Sequence, residues 1–168
     1  MFNNIFNEKE MIKLQDELKQ RGETITAAES CTGGLISSMI TKISGSSAIF
    51  RGSVVTYCND IKEQELNVEK NTMIKYGAVS KETVKEMLDG VLKKFNADYA
   101  MAVSGVAGPT GGTIDKPVGT VVIGVVSKKG QSSITVCTFK GNREEVQIQA
   151  AKTALKEILK FFSKTLDK

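Results

Sequence analysis

The stretch TITAAESCTGGLISSMITKISGSS, residues 24 to 47, carries the fold in miniature. Residues 24 to 30 form a short β-favouring run, Gly33 and Gly34 make a turn, and Leu35, Met39 and Ile43 then share one helical face before SGSS closes the segment. Strand, turn, helix is the opening unit of an α/β protein.

The same grammar extends outward. Upstream, residues 2 to 21 place Met11, Leu14 and Leu18 at helical spacing ahead of Gly22, which suits a C-terminal stop. Downstream, AIFRGSVVTY (48 to 57) reads as a second strand and DIKEQEL as a short helix. A helix from about Ser80 to Phe95 sets Val84, Met87, Leu88, Val91, Leu92 and Phe95 on one face, with Ser80 as N-cap. DYAMAVSG is a buried-type strand, and it leads through the glycine-rich loop VAGPTGGTIDKP to a second one, VGTVVIGVV. KKGQ turns the chain into SSITVCTF, an outer strand. A last helix from about Asn142 stacks Val146, Ala150, Ala154, Ile158, Phe162 and Leu166. This order predicts a three-layer α/β/α sandwich with a mixed, mostly parallel sheet, as one domain over residues 1 to 168. Ligands of such sheets bind beyond the carboxyl ends of the strands, so the predicted ends at Ser30, Tyr57 and Ser104 mark one crevice.

Composition narrows the function classes. Hydrophobic residues are 40% and charged residues 25% of the chain, as in ordinary globular domains. The net charge of +4 and pI near 8.9 are mildly basic. The lysines alternate with acids in KEMIKLQDELK and KETVKEMLDG, which reads as solvated helix faces and argues against nucleic acid as a partner. No apolar run approaches a membrane span, and MFNNIFNEKE lacks the basic start and apolar core of a leader, so a cytoplasmic protein without a membrane partner is expected. Cys31, Cys58 and Cys137 are widely spaced, with no paired-cysteine motif, and predict reduced thiols and no metal site.

The absence of histidine decides the chemistry that remains. It removes both the Ser-His-Asp triad and the Cys-His pair. A desolvated lysine can serve as the base instead, with a tyrosine relaying the proton. In YCNDIK, Tyr57 and Lys62 straddle the end of a strand and the first turn of a helix, where both can face Ser30, although an ordinary surface lysine is the default reading of Lys62 from the residues alone. Thr32, Gly33 and Gly34 would open the next helix, whose free N–H groups suit a phosphate or an oxyanion. The same residues also fit a plain capped turn. Cys31 is the rival nucleophile, although a small buried residue is its commoner role. SGVAGPTGGTIDKPVG has the length of a binding loop without the spacing of a Walker or dinucleotide motif. Arg143 in KGNREE suits either a phosphate or a solvated ion pair with Glu144 or Glu145.

Taken in order, AAESCTGGLIS, FRGSVVTYCNDIK, GAVS at 77 to 80, SGVAGPTGGTIDKPVGTV and FKGNRE resemble the CinA C-terminal domain family of nicotinamide-nucleotide amidohydrolases, in its stand-alone form. The resemblance covers nearly the whole chain. It implies hydrolysis of the carboxamide of nicotinamide mononucleotide (NMN) to nicotinate mononucleotide and ammonia, with no cofactor and a homo-oligomeric assembly. It implies Ser30 as nucleophile, Lys62 as general base and Tyr57 as their partner. It places Glu29, Thr32, Gly33, Gly34, Asn59, Ser104, Gly105, Gly108, Thr110, Gly111, Gly112 and Arg143 at the substrate. One departure stands out: Gln147 occupies a position that is often basic in the family. A non-catalytic nucleotide-binding module with the same loops, and a hydrolase of another amide, are the alternative readings.

Overall fold

Period-two and period-3.6 apolar patterns alternate along the chain, and the computed structural model, which describes residues 1–164, converts them into one five-stranded sheet with helices on both faces. The elements are α1 (Glu8–Arg21), β1 (Ile25–Glu29), α2 (Leu35–Thr41), β2 (Phe50–Val55), α3 (Asn59–Leu66), α4 (Lys70–Tyr76), α5 (Lys81–Phe95), β3 (Tyr99–Gly105), β4 (Thr120–Ser127), β5 (Ser132–Thr138) and α6 (Arg143–Lys164). Leu166, expected on the last helix, lies outside the described residues.

The sheet order is β2-β1-β3-β4-β5. β1 pairs parallel to both β2 and β3, while β4 is antiparallel to β3 and to β5. Four strands therefore run one way and β4 alone is reversed, which is the mixed, mostly parallel sheet expected. Strand pleating splits the core in two. Tyr99, Met101 and Val103 of β3, with Val121, Ile123 and Val125 of β4, pack under α1, α2 and α6. Ala100, Ala102, Val122 and Val126 point the other way, under α3, α4 and α5. Small alanines on that second face let α5 lie close to β1 and β3.

Local chemistry sets the helix ends. Asn7 and Glu10 form a reciprocal capping box that starts α1 at Glu8, six residues later than the sequence pattern suggested, and Gly22 ends it in the left-handed region. Ser80 accepts from the Thr83 N–H and caps α5 as predicted. Asn142 and Glu145 cap α6 reciprocally. The strand expected over 48 to 57 is shorter, because Ser46–Ala48 form a 3-10 turn and pairing ends at Val55. α4 was not foreseen: it buries only Met73, so no periodic apolar stripe announces it.

The crossovers fix where a ligand can bind. β1 reaches β2 through α2 on one face, and β2 returns past β1 to β3 through α3, α4 and α5 on the other. The connections part at the carboxyl ends of β1 and β3, the switch point at which doubly wound sheets bind ligands.

One glycine tests the helix packing on the second face. Gly90 of α5 lies against the end of α3, and a Cβ there would press on the Leu66 carbonyl. Intrinsic propensity alone would make Gly90→Ala stabilising by about 1 kcal/mol. Backbone cannot move aside as a side chain can, so we expect Gly90→Ala to destabilise by about 1–3 kcal/mol in urea unfolding. A more stable variant would contradict the close approach.

Candidate active site

β1 ends at Glu29, which is paired on both sides, with Val55 and with Val103. The chain then turns sharply. The Ser30 N–H donates to the Val103 carbonyl at 3.1 Å, and the Ser30 carbonyl accepts from Gly33 N–H at 3.1 Å. Gly34 occupies the N-cap of α2 with φ 102°, a conformation that favours glycine, and offers no side chain to cap the helix. Glu29 supplies the cap instead. Its fully buried carboxylate accepts from the Thr32 hydroxyl (2.7 Å), the N–H groups of Gly34 (3.0 Å), Ile36 (3.1 Å) and Ser37 (2.9 Å), and the Ser37 hydroxyl (2.7 Å). A carboxylate so bound at a helix N-terminus is favoured by both hydrogen bonding and the helix dipole.

Lys62 comes up beneath this turn from the first half of α3. The residue is only 1% exposed, yet its amine has no carboxylate partner among the described residues. Nζ lies 3.1 Å from Ser30 Oγ, 2.8 Å from the Thr56 carbonyl and 3.4 Å from the Tyr57 carbonyl. Burial pushes the ammonium below its ordinary pKa, because the charged form loses its hydration. Cys31 is also buried, and desolvation raises its thiol to about 12. The two adjacent candidates are thus separated by their surroundings: the amine reaches the serine, and the thiol stays protonated.

Above Ser30 lies a cleft of about 290 Å³, lined by Ser30, Cys31, Tyr57, Gly105, Val106, Ala107, Gly108, Thr110, Gly111 and Arg143. Arg143 opens α6 and spans the mouth, donating to the Gly108 carbonyl and to the Tyr57 hydroxyl, each at 2.8 Å. Tyr57 is 60% exposed.

The structure therefore gathers Ser30, Tyr57, Gly105, Gly108, Thr110, Gly111 and Arg143 around one cleft, with Lys62 under its floor. Other expected contacts lie elsewhere. The side chains of Glu29 and Thr32 are turned into the α2 cap, where the carboxylate and the hydroxyl bond each other and hold the turn. Gly33 and Gly34 shape that turn. Ser104 is buried with its hydroxyl donating to the Ala78 carbonyl, and Gly112 packs against Val118. Asn59 faces a separate depression with Asp60, Glu63 and Lys70. Tyr57 meets Lys62 through its backbone carbonyl, and its hydroxyl is bonded to Arg143. Sequence reasoning missed Thr56, whose carbonyl orients Lys62, and it singled out Gln147 without finding its contact, an amide N–H donated to the Cys31 carbonyl at 2.8 Å. Backbone acceptors leave no trace in residue type. Among the described residues, no group of three or more His, Cys, Asp or Glu is placed to hold a metal ion, and no helix is long and apolar enough to cross a membrane.

Residues 7–162 match the model of the CinA C-terminal domain. The chain belongs to the CinA C-terminal domain family. Within it, the chain is 48% identical over 153 residues to the nicotinamide-nucleotide amidohydrolase PncC of Enterobacter agglomerans, covering 89% of this chain and 93% of that protein. It is 43% identical over 159 residues to the protein of the same name from Escherichia coli, covering 92% and 96%. A CinA-like protein of Endomicrobium trichonymphae is 50% identical over 138 residues, which are 82% of this chain but 32% of that longer protein. In three dimensions the competence/damage inducible protein CihA from Agrobacterium tumefaciens superposes with a TM-score of 0.89 at 36% identity, covering 91% of this chain and 93% of that one.

The buried amine makes a prediction about stability. With its folded pKa below the ordinary 10.5, the native protein binds fewer protons than the unfolded chain between those two values. Stability then rises with pH through that window and is lowest below it. Wild type should gain stability relative to Lys62→Met as pH is raised toward 10.5, read from urea midpoints of both proteins. A difference that stays constant with pH would show that burial does not depress the amine.

Proposed function

We propose that this chain hydrolyses the carboxamide of NMN, giving nicotinate mononucleotide and ammonia, with Ser30 as nucleophile and Lys62 as its base. The observation that carries this reading is the 3.1 Å approach of Lys62 Nζ to Ser30 Oγ in a chain without histidine. Near-full-length relatives named nicotinamide-nucleotide amidohydrolase support the substrate.

The surroundings of Nζ fit a neutral amine. Such an amine has two N–H bonds and one lone pair. The Thr56 and Tyr57 carbonyls take the two N–H bonds, which leaves the lone pair for the Ser30 hydroxyl proton. Ser30 Oγ then bonds to the carboxamide carbon as its proton moves to Nζ. Backbone N–H groups beside the serine stabilise the oxyanion. Collapse of this intermediate breaks the C–N bond, and Nζ returns the proton so that ammonia leaves. Water, deprotonated by the same amine, attacks the resulting ester and releases the carboxylate and Ser30. Proton transfer is direct, because the Tyr57 hydroxyl is engaged by Arg143. Tyr57 contributes its carbonyl to Lys62 and its exposed ring to the nucleotide. Arg143, at the mouth of the cleft, is the cation for the phosphate. The glycine loop lets the ligand approach backbone closely.

Purified protein should release ammonia from NMN. Ser30→Ala should lower kcat by about 10⁴-fold or more, as expected for loss of a nucleophile, and Lys62→Met by about 10²–10⁴-fold, the range of general-base catalysis. Cys31→Ala should remain active. Saturable NMN binding without turnover would replace this reading with that of a binding module, and loss of activity in Cys31→Ala alone would transfer the nucleophile to the thiol.

A further inference from the structure

Among the described residues, most of the polar backbone of the Ser30 turn is bonded, the exceptions among its N–H groups being those of Cys31 and Thr32. Ser30 uses both its N–H and its carbonyl, the Thr32 carbonyl accepts from the Leu35 N–H at 3.1 Å, and the Gly34 N–H is bound by Glu29. The Cys31 carbonyl is held from another element altogether. Gln147, half-buried on α6 one turn beyond Arg143, donates Nε2 to it at 2.8 Å. The N–H of that same peptide unit belongs to Thr32, and among the described residues it has no hydrogen-bond partner. A buried N–H without a partner calls for an explanation, since such groups are rare.

We infer that Gln147 is a positioning residue for catalysis: by holding the Cys31 carbonyl, it orients the Thr32 N–H to stabilise the oxyanion formed when Ser30 attacks. The inference rests on the reading of Ser30 as nucleophile. A peptide unit is planar and almost always trans, so fixing the direction of its carbonyl fixes that of its N–H. A hydrogen bond accepted by the carbonyl also polarises the N–H on the other side of the unit. Gln147 does not line the cleft, so its effect falls on the reaction and not on substrate affinity. A neutral amide suffices for this task, which explains how glutamine serves at a position where the family resemblance led to a basic residue. Either side chain can donate to the carbonyl.

The test uses the full chain and three substitutions. Gln147→Glu is nearly isosteric but replaces the donor with an acceptor, Gln147→Leu removes hydrogen bonding, and Gln147→Arg restores a donor. Two rates are read: turnover of NMN, and covalent labelling of Ser30 by a fluorophosphonate, whose phosphoryl oxygen needs the same stabilisation. Melting temperatures are measured alongside. Gln147→Glu and Gln147→Leu should lower kcat by about 10–100-fold, the scale of a small misplacement of reacting groups, with KM changed less than about threefold. Labelling should slow in parallel, melting temperature should hold within a few degrees, and Gln147→Arg should recover most of both rates. Unchanged kcat and labelling, a loss confined to KM, a loss that tracks a fall in melting temperature, or a Gln147→Arg protein as slow as Gln147→Leu would each overturn the inference. If wild type does not turn over NMN, the substrate assignment fails, and the labelling rates alone then decide the role of Gln147.

Discussion

An amine buried without a counter-ion is the constraint on which the rest of this structure turns. Lys62 is stable in its place only if its charge is given up or its protons are well received, and the fold arranges the second condition with two consecutive backbone carbonyls, those of Thr56 and Tyr57. Those carbonyls are free because strand pairing ends at Val55, so the chain leaving β2 faces the amine instead of a neighbouring strand. Ser30 is free to meet it for the same reason, lying one residue past the end of β1. The Ser30–Lys62 contact thus owes its geometry to where two adjacent parallel strands stop.

That arrangement needs a rigid turn. A serine on a short loop could swing away from the amine; here Glu29 and Gln147 grip the turn from opposite sides in the chain sense, one from within the sheet and one from the last helix. Glu29 collects five hydrogen bonds that would otherwise leave the start of α2 uncapped. The carboxylate also places negative charge at the helix N-terminus, where the dipole favours it, and so keeps that terminus from competing with the cleft for an anion. Gln147 and Arg143 then share one face of α6, separated by a single turn, and reach the two walls of the site: the serine turn and the glycine loop.

The sequence made the layers legible because the patterns that encode them are long. β3 and β4 are continuous apolar runs, and α5 and α6 repeat their apolar residues over several turns, so their existence and faces could be read directly. α4 has a single buried residue and no such repeat. At the site, the absence of histidine narrowed the bases to lysine and tyrosine, and the resemblance to the family, not elimination, pointed to Ser30 and Lys62. Glu29, which the resemblance placed at the substrate, is turned inward to cap α2, an orientation that residue type and spacing do not encode. Asn59 was carried along by its neighbours Tyr57 and Lys62, but residues on a helix start point in several directions, and its own faces another depression. Gln147 depends on a contact across 116 residues of chain, a separation that no local pattern encodes.

The pairing of Ser30 with Cys31 shows why residue type is a weaker guide to reactivity than surroundings. In water the thiol would be the better nucleophile of the two, being partly ionised near neutrality while a serine hydroxyl is not. Burial reverses the order. The same low-polarity surroundings that hold the thiol proton also lower the pKa of the Lys62 ammonium, because both effects penalise the charged form. Desolvation therefore acts on both groups in the same sense, disfavouring the thiolate and the ammonium, and under the proposed function it sets the cysteine aside while preparing Lys62 as the base for Ser30. On the proposed function, the selection of serine over cysteine is then a property of the buried floor of the cleft, set by where β1 and β2 end, and not of the side chains alone.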